Sequence, residues 1–380
     1  MKCLYNGRLI IKGEIYRNKA VIFDEQIRAI VDEKEIYAMA HMDKIDVGGR
    51  YISPGFIDLH IHGYDGYDTM DGCEEAIQRI SEGIARNGVT AFLPTTMTMP
   101  LDKIYNALYR VRQVKQRGVN GAEVLGVHME GPFINRKFKG AQDEQYIRAP
   151  DFEIIREYKD IISLITLAPE LEGALEFIKK VKNETHIVLS MGHTNASYEE
   201  ALEGISCGIS HVTHLFNAMT GLHHRSPGGV GAALTRDITC EVIADTIHIH
   251  PELFEMILKV KGLDNIILVT DSMGAAGKED GEYTLGGQRV FVKNGYAKLE
   301  DGTLAGGILK LNKAVYNFSR YTPWILPKLI STVTINPAKA LGIDKKKGSI
   351  EVGKDADITI FDEAVDIYLT FGKGKILYEF

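Results

Sequence analysis

The chain has 380 residues, 45% of them hydrophobic, which is enough to fill one large barrel with a small satellite and implies no disorder. A formal net charge of −7 argues against nucleic acid as the main partner, so an anionic ligand has to be met by a local cluster of cations or N–H donors. Cys3, Cys73, Cys207 and Cys240 lack CxxC spacing, the first residues lead into an alternating strand, and no run of about 18 apolar residues occurs. These features predict a cytoplasmic protein with no membrane partner, no thiolate metal site and no disulfide frame.

In chain order, residues 1 to 52 carry short alternating stretches at 4–11, 20–23, 27–31 and 44–47, broken by Gly and charged turns, which predict a small β layer. From Ser53-Pro54-Gly55 onward, β-branched apolar runs recur at 56–62, 89–95, 124–130, 164–170, 187–193, 211–216, 241–248 and 266–271. Segments with helical spacing separate them, among them 74–86, 101–117, 171–181, 197–205 and 251–260. Strand and helix alternating eight times, with strands apolar almost throughout, predict an α/β fold: a (β/α)8 TIM-like barrel over 53–343. Gly and Asn-Gly turns within 282–303 predict an inserted set of hairpins, and 309–342 reads as helices. Strands expected at 348–350, 356–361, 365–369 and 375–378 are too few for a stable sheet alone, so 344–380 is expected to join 1–52 in one β-sandwich.

The chemistry is carried by what ends the barrel strands. In Asp58-Leu59-His60-Ile61-His62-Gly63 the two histidines lie two apart on a strand and so face the same way, as a metal pair needs. Other runs end in Glu130, His193, His214, His248 and Asp271. In a parallel barrel all carboxyl ends share one rim, where active sites sit, so residues far apart in sequence would converge there. Imidazole and carboxylate ligands without sulfur suit Zn, Fe, Mn or Co. Such an ion brings the pKa of its water toward about 7, making a hydroxide nucleophile at neutral pH. Asp271 is placed to take the water's proton and return it to a leaving amine; the same residue type also caps helices. His128, two before Glu130, faces the same way one layer deeper, which suits a hydrogen-bonding role beneath the ligands, and His211 reads as structural. There is no GxxxxGK loop, so a phosphate would have to be held by side chains such as Arg225 and His224 and by free backbone N–H groups near Asn217.

Asp58-Leu59-His60-Ile61-His62-Gly63, Glu130-Gly131-Pro132-Phe133, Gly192-His193-Thr194, Thr213-His214-Leu215-Phe216-Asn217-Ala218-Met219 and Thr270-Asp271-Ser272 together resemble the N-acetylglucosamine-6-phosphate deacetylases of the amidohydrolase superfamily. The resemblance spans nearly the whole chain. It implies a metal-dependent hydrolase that removes acetate from the sugar amide and releases glucosamine 6-phosphate. It further implies that Glu130, His193 and His214 bind the principal divalent metal, that His60 and His62 are available to a second ion, and that Asp271 is the catalytic acid/base. By the same likeness Ala141, Gln142, Asn217, Ala218, His248 and the loop Leu304-Ala305-Gly306 contact substrate. His224 and Arg225 stand in a loop that in this family reaches the phosphate in a neighbouring subunit's site, which implies a homodimer. Two positions depart from the pattern: Thr246 stands where the family has Gly in Asp-Gly-x-His, and Gln142 stands where part of the family has a His near the acetyl group. The alternatives are the same reaction on N-acetylgalactosamine 6-phosphate, a cyclic amidase or deaminase on the same barrel, and a barrel that binds sugar phosphate without turnover. The lack of a strand-end Lys that could bridge two metals as a carbamate counts against the cyclic amidases.

Overall fold

In the computed structural model, which describes residues 1–39 and 41–380, eight parallel strands form a nearly closed barrel. They are β1 (Phe56–Ile61), β2 (Val89–Thr96), β3 (Val127–Glu130), β4 (Ile162–Leu167), β5 (Val188–Met191), β6 (His211–Val212), β7 (Thr239–Ile243) and β8 (Ile266–Val269). Neighbours pair in chain order. The ring closes where the Asp271 N–H donates to the His60 carbonyl (2.9 Å) and the His62 N–H to the Ser272 carbonyl (2.9 Å). A two-residue strand, Glu123–Val124, also pairs with β2 just ahead of β3.

The alternation of side chains along each strand sorts the residues into two layers. Leu59, Ile61, Met129, Ile165, Leu167, Leu189, Met191, Val212 and Val242 belong to the large apolar core. On the intervening positions Asp58, His60, His128, Glu130, Thr166, Ser190, His211 and Glu241 are buried polar groups. The barrel interior is therefore a polar column inside an aliphatic sleeve. The outer helices supply the rest of that sleeve. Helix α1 (Glu74–Ala85) buries Ile77, Ile80 and Ile84, and α2 (Leu101–Arg117) buries Ile104, Leu108 and Val111, each at the three- and four-residue spacing of one helical face. The Ser197 hydroxyl accepts the Glu200 N–H while the Glu200 carboxylate accepts the Ser197 N–H, a capping box that starts α3 (Tyr198–Cys207).

The satellite is two sheets packed on each other. One holds Ile27–Asp32, Lys19–Phe23, Lys2–Tyr5 and Asp43–Asp46; the other runs Lys375–Glu379, Ile367–Gly372, Ile358–Phe361, Tyr51–Pro54, Arg8–Ile11 and Glu14–Tyr16. Their shared core takes Leu4, Val21 and Phe23 from the first sheet and Leu9, Ile52, Ile358, Ile360 and Phe371 from the second. Two expectations are corrected. The stretch 4–11 is two strands in different sheets, separated by a turn with Asn6 at φ 56° and by Gly7, where a Cβ would come within 2.6 Å of the Ile52 side chain. Residues 348–350 form no strand, because Gly348 turns the chain at φ 85° hard against Thr334 and Ile335; Ile350 still buries its side chain in the sandwich core.

Lys347 joins the two parts. Its ammonium, 3% exposed, lies 2.6 Å from Glu123, 2.9 Å from Asp355 and 2.6 Å from Asp357. The insertion is a three-stranded antiparallel sheet, Gly281–Leu285, Gln288–Lys293 and Tyr296–Lys298, turned at Gly286-Gly287 and Asn294-Gly295, all four with positive φ. Its apolar face packs Leu285, Val290, Val292 and Ala297 on Met97, Ala141, Met273 and Ala305, which places it beside the barrel's rim.

Candidate active site

Six of the sequence-selected residues meet at the carboxyl rim. Glu130 ends β3 with both oxygens engaged: Oε1 lies 3.1 Å from His193 Nε2 and 3.1 Å from His214 Nε2, and Oε2 lies 3.3 Å from His62 Nε2. His193 and His214 bring their Nε2 atoms within 3.1 Å of each other, and His60 and His62 within 3.4 Å. Asp271 Oδ1 is 3.3 Å from Nε2 of both His60 and His62. The backbone is bent to achieve this: His193 (φ 48°), His214 (φ 31°) and Asp271 (φ 45°) all adopt the left-handed region just past their strands. Such conformations cost about 1–3 kcal/mol each and persist where the surroundings over-determine them.

The donor set fits a divalent cation. The Nδ1 atoms of three imidazoles face acceptors: His193 the Phe138 carbonyl (2.8 Å), His60 the Glu241 carboxylate (2.9 Å) and His62 the Thr95 carbonyl (3.3 Å). Donation there assigns Nε2 as the ligating nitrogen, from which a bound cation would displace any proton, and these atoms converge on Glu130, the arrangement metal-ligating histidines adopt. Three groups of three ligand atoms result: His60/His62/Glu130 and Glu130/His193/His214, which share one carboxylate, and a deeper one, His60/His128/Glu241. The field of the site favours cations. Burial pulls the His60 imidazole down, yet Asp271, Glu130 and Glu241 outweigh it and raise it to about 9. Burial pushes the Asp271 carboxyl up, but the charge on His60 and the hydrogen bond from His62 hold it below its ordinary value, so it is an anion at neutral pH.

A cavity of about 360 Å³ opens above the cluster, a size suited to a small ligand. His62, Glu130, His193, His214 and Asp271 form its floor; Ala141, Gln142, Asn217, Ala218, His248, Leu304 and Gly306 line its walls. His60 lies beneath and does not line it, and Ala305 is wholly buried under the hairpins. Gln142 bridges inward, its amide N–H donating to Glu130 Oε2 (2.8 Å) and its carbonyl accepting the Thr98 N–H (2.6 Å). His248 is fixed by Asp245, whose Oδ2 accepts from Nδ1 at 2.6 Å while Oδ1 accepts the backbone N–H groups of Ile247 and His248. His224 and Arg225 are not brought to this cavity: both are exposed, with the Arg225 guanidinium donating to the His224 ring. His128 sits below the floor between the Leu59 carbonyl and the Thr166 hydroxyl.

Sequence reasoning passed over Lys137, Phe138, Thr303, Met97 and Leu285, which also line the cavity, and Glu241, which supports it from below. The loop residues carry no periodic signal. Glu241 did carry one, a lone carboxylate inside the apolar run Cys240-Glu241-Val242-Ile243.

A closed parallel barrel with a His/Glu cluster and an adjacent carboxylate at its carboxyl rim defines a metal-dependent hydrolase, and residues 51–377 match the model of the Amidohydrolase family. The chain belongs to that family, whose members use a divalent metal. Within it, the chain is 39% identical over 381 residues to the N-acetylglucosamine-6-phosphate deacetylase of Bacillus subtilis, covering 97% of this chain and 95% of that one. It is 36% identical to the N-acetylgalactosamine-6-phosphate deacetylase of Escherichia coli O157:H7, covering 86% and 87%. The solved N-acetylglucosamine-6-phosphate deacetylase of Pasteurella multocida superposes with a TM-score of 0.94 at 32% identity, covering 99% of both chains.

Proposed function

We propose that this chain hydrolyses the acetamide of N-acetylglucosamine 6-phosphate to glucosamine 6-phosphate and acetate. The observation that carries the reading is the Asp271 carboxyl, 3.3 Å from Nε2 of both His60 and His62, beside a His/Glu cluster able to hold a cation on the floor of a cavity of about 360 Å³. A divalent cation bound there supplies Lewis acidity that polarises the carbonyl and acidifies water. The chain's own residues do the rest. Asp271 accepts a proton from the water that adds to the amide carbon and returns it to the nitrogen as the C–N bond breaks, so the amine leaves neutral and the acetic acid formed gives up its proton to Asp271 and then solvent as acetate. His248, held by Asp245, contacts the sugar together with Asn217, Ala218 and Gln142, and Leu304 and Gly306 cover it, with Ala305 packed beneath the hairpins to hold their loop.

Zn suits the nitrogen and oxygen donors best, with Fe, Mn and Co as further candidates, one ion on Glu130/His193/His214 and a second on His60/His62/Glu130. The exposed loop with His224 and Arg225, which does not line its own cavity, supports a homodimer in which Arg225 reaches the neighbour's phosphate. Four cysteines without disulfide partners support a cytoplasmic setting. No helix among the described residues is long and apolar enough to cross a membrane. The galactosamine epimer is the second reading, favoured by the Escherichia coli relative's name. The test is acetate release from both sugar phosphates by metal-loaded protein, with Asp271→Asn as control. The variant should lose about 10²–10⁴-fold in kcat while KM stays near wild type, since Asn keeps the size and hydrogen-bonding capacity. No acetate from either sugar would end the proposal.

A further inference from the structure

We infer that Glu241 is the positioning residue that couples the two ligand groups of the metal cluster. It lies within β7, on the interior of the barrel, with no exposed surface. A carboxylate so buried costs several kcal/mol unless it is paired and hydrogen-bonded. Its ion-pair partners among the described residues are imidazoles alone. Oε2 receives the His60 Nδ1–H at 2.9 Å and the His214 backbone N–H at 3.1 Å; Oε1 faces His211 Nε2 at 3.2 Å. One oxygen therefore serves a residue from each ligand group.

The two contacts do different things. At His60 the carboxylate holds Nδ1–H, which leaves Nε2, 3.5 Å from Glu130 and 3.3 Å from Asp271, as the nitrogen a cation would take, and it increases that nitrogen's donor strength. At His214 it holds the peptide of a residue in left-handed conformation, and so aims the imidazole. His211, whose Nδ1 is 2.6 Å from the Thr239 hydroxyl, fixes the carboxylate's rotation from the far side. A movement of Glu241 displaces both groups at once, which makes occupancy of one dependent on the order of the other.

The inference rests on cation binding by both groups, and its test reads binding without turnover. Chelator-stripped wild type, Glu241→Gln and His211→Phe are titrated with Co²⁺, following visible absorption and bound metal per chain, with circular dichroism as the check on folding. Wild type should take up two ions. Glu241→Gln keeps the volume and can still accept from His60 and His214, but it lacks the charge. It should bind the ion at His60/His62 about 10–100-fold more weakly and shift the absorption of the remaining ion. His211→Phe, which leaves every ligand in place, should move both readouts in the same direction, and it serves alone if Glu241→Gln does not fold. Two ions bound with wild-type affinity and spectrum by the folded variants would overturn the inference. Fewer than two ions on wild type would overturn it as well, by removing the two-ion reading beneath it, whereas acetate release tests the substrate separately.

Discussion

Replacing Lys347 by Met should destabilise the protein by about 3 kcal/mol without touching the active site. Removing one partner of a buried ion pair typically costs about 3–5 kcal/mol, because the remaining charges stay buried without compensation. Here Asp355 and Asp357 are 5% and 6% exposed; Asp357 depends on Lys347, Asp355 also has Lys346 at 3.9 Å, and Glu123, 34% exposed, keeps Lys373 at 2.8 Å. Among the described residues only Asp357 is then left without an ammonium partner, which puts the loss at the lower end of that range. The pH dependence has a defined sign. Burial works to raise Glu123, but Lys347 and Lys373 hold it below its ordinary value. Its contribution is therefore present above the unfolded carboxylate value of about 4.3 and is lost as pH falls through the depressed folded value. Burial raises Asp357 even with Lys347 against it, so in the variant this group takes up a proton first. The gap between wild type and Lys347→Met should narrow on acidification. Urea denaturation near pH 7.5 and near pH 5 measures both effects. A variant within 1 kcal/mol of wild type at neutral pH, or a gap that widens in acid, would refute the account.

Burial pulls the His248 imidazole down, and the hydrogen bond and charge of Asp245, with Asp271 behind them, more than offset this and leave it raised. A raised folded value gives stability that is fully present below the unfolded value of about 6.5 and is lost as pH climbs through the folded one. In Asp245→Asn the imidazole loses its proton at lower pH, so KM for the phosphorylated sugar should begin to rise earlier on the pH axis than in wild type. Coincident profiles would show that Asp245 does not govern His248. Thr246, exposed and held at φ 70°, is strained for a β-branched residue. Thr246→Gly relieves about 1–2 kcal/mol of left-handed strain against about 0.5–1 kcal/mol of added chain entropy, a net gain of about 0.5–1 kcal/mol in urea denaturation. A loss of stability would mean that the threonine makes contacts worth more than its strain.

The barrel was legible because its strands are β-branched runs ended by polar residues, and those ends carry the chemistry. Glu130, His193, His214 and Asp271 could be selected one by one from their positions in such runs. What spacing did not reveal was the means of convergence. The left-handed bends at His193, His214 and Asp271 leave no mark in composition, since none is Gly. The loop between β3 and β4, which brings Lys137, Phe138, Ala141 and Gln142 to the cavity, has neither period two nor period 3.6 and gives a pattern search nothing to hold. In the satellite the Asn6-Gly7 dipeptide was a visible turn signal inside 4–11, masked by apolar residues on both sides. Ile350 shows the converse, a buried side chain that needs no strand to carry it.

The six-stranded sheet imposes a schedule on biogenesis. Its middle rung, Tyr51–Pro54, hydrogen-bonds to Ile358–Phe361 across about 300 intervening residues, a stretch that a ribosome emitting ~5–20 residues per second needs ~15–60 s to deliver. Throughout that interval one margin of the strand stays open beside a barrel that is still being threaded. The final two dozen residues are in effect the latch of the molecule, and trimming them would bare a ready-made template for pairing with a second nascent chain.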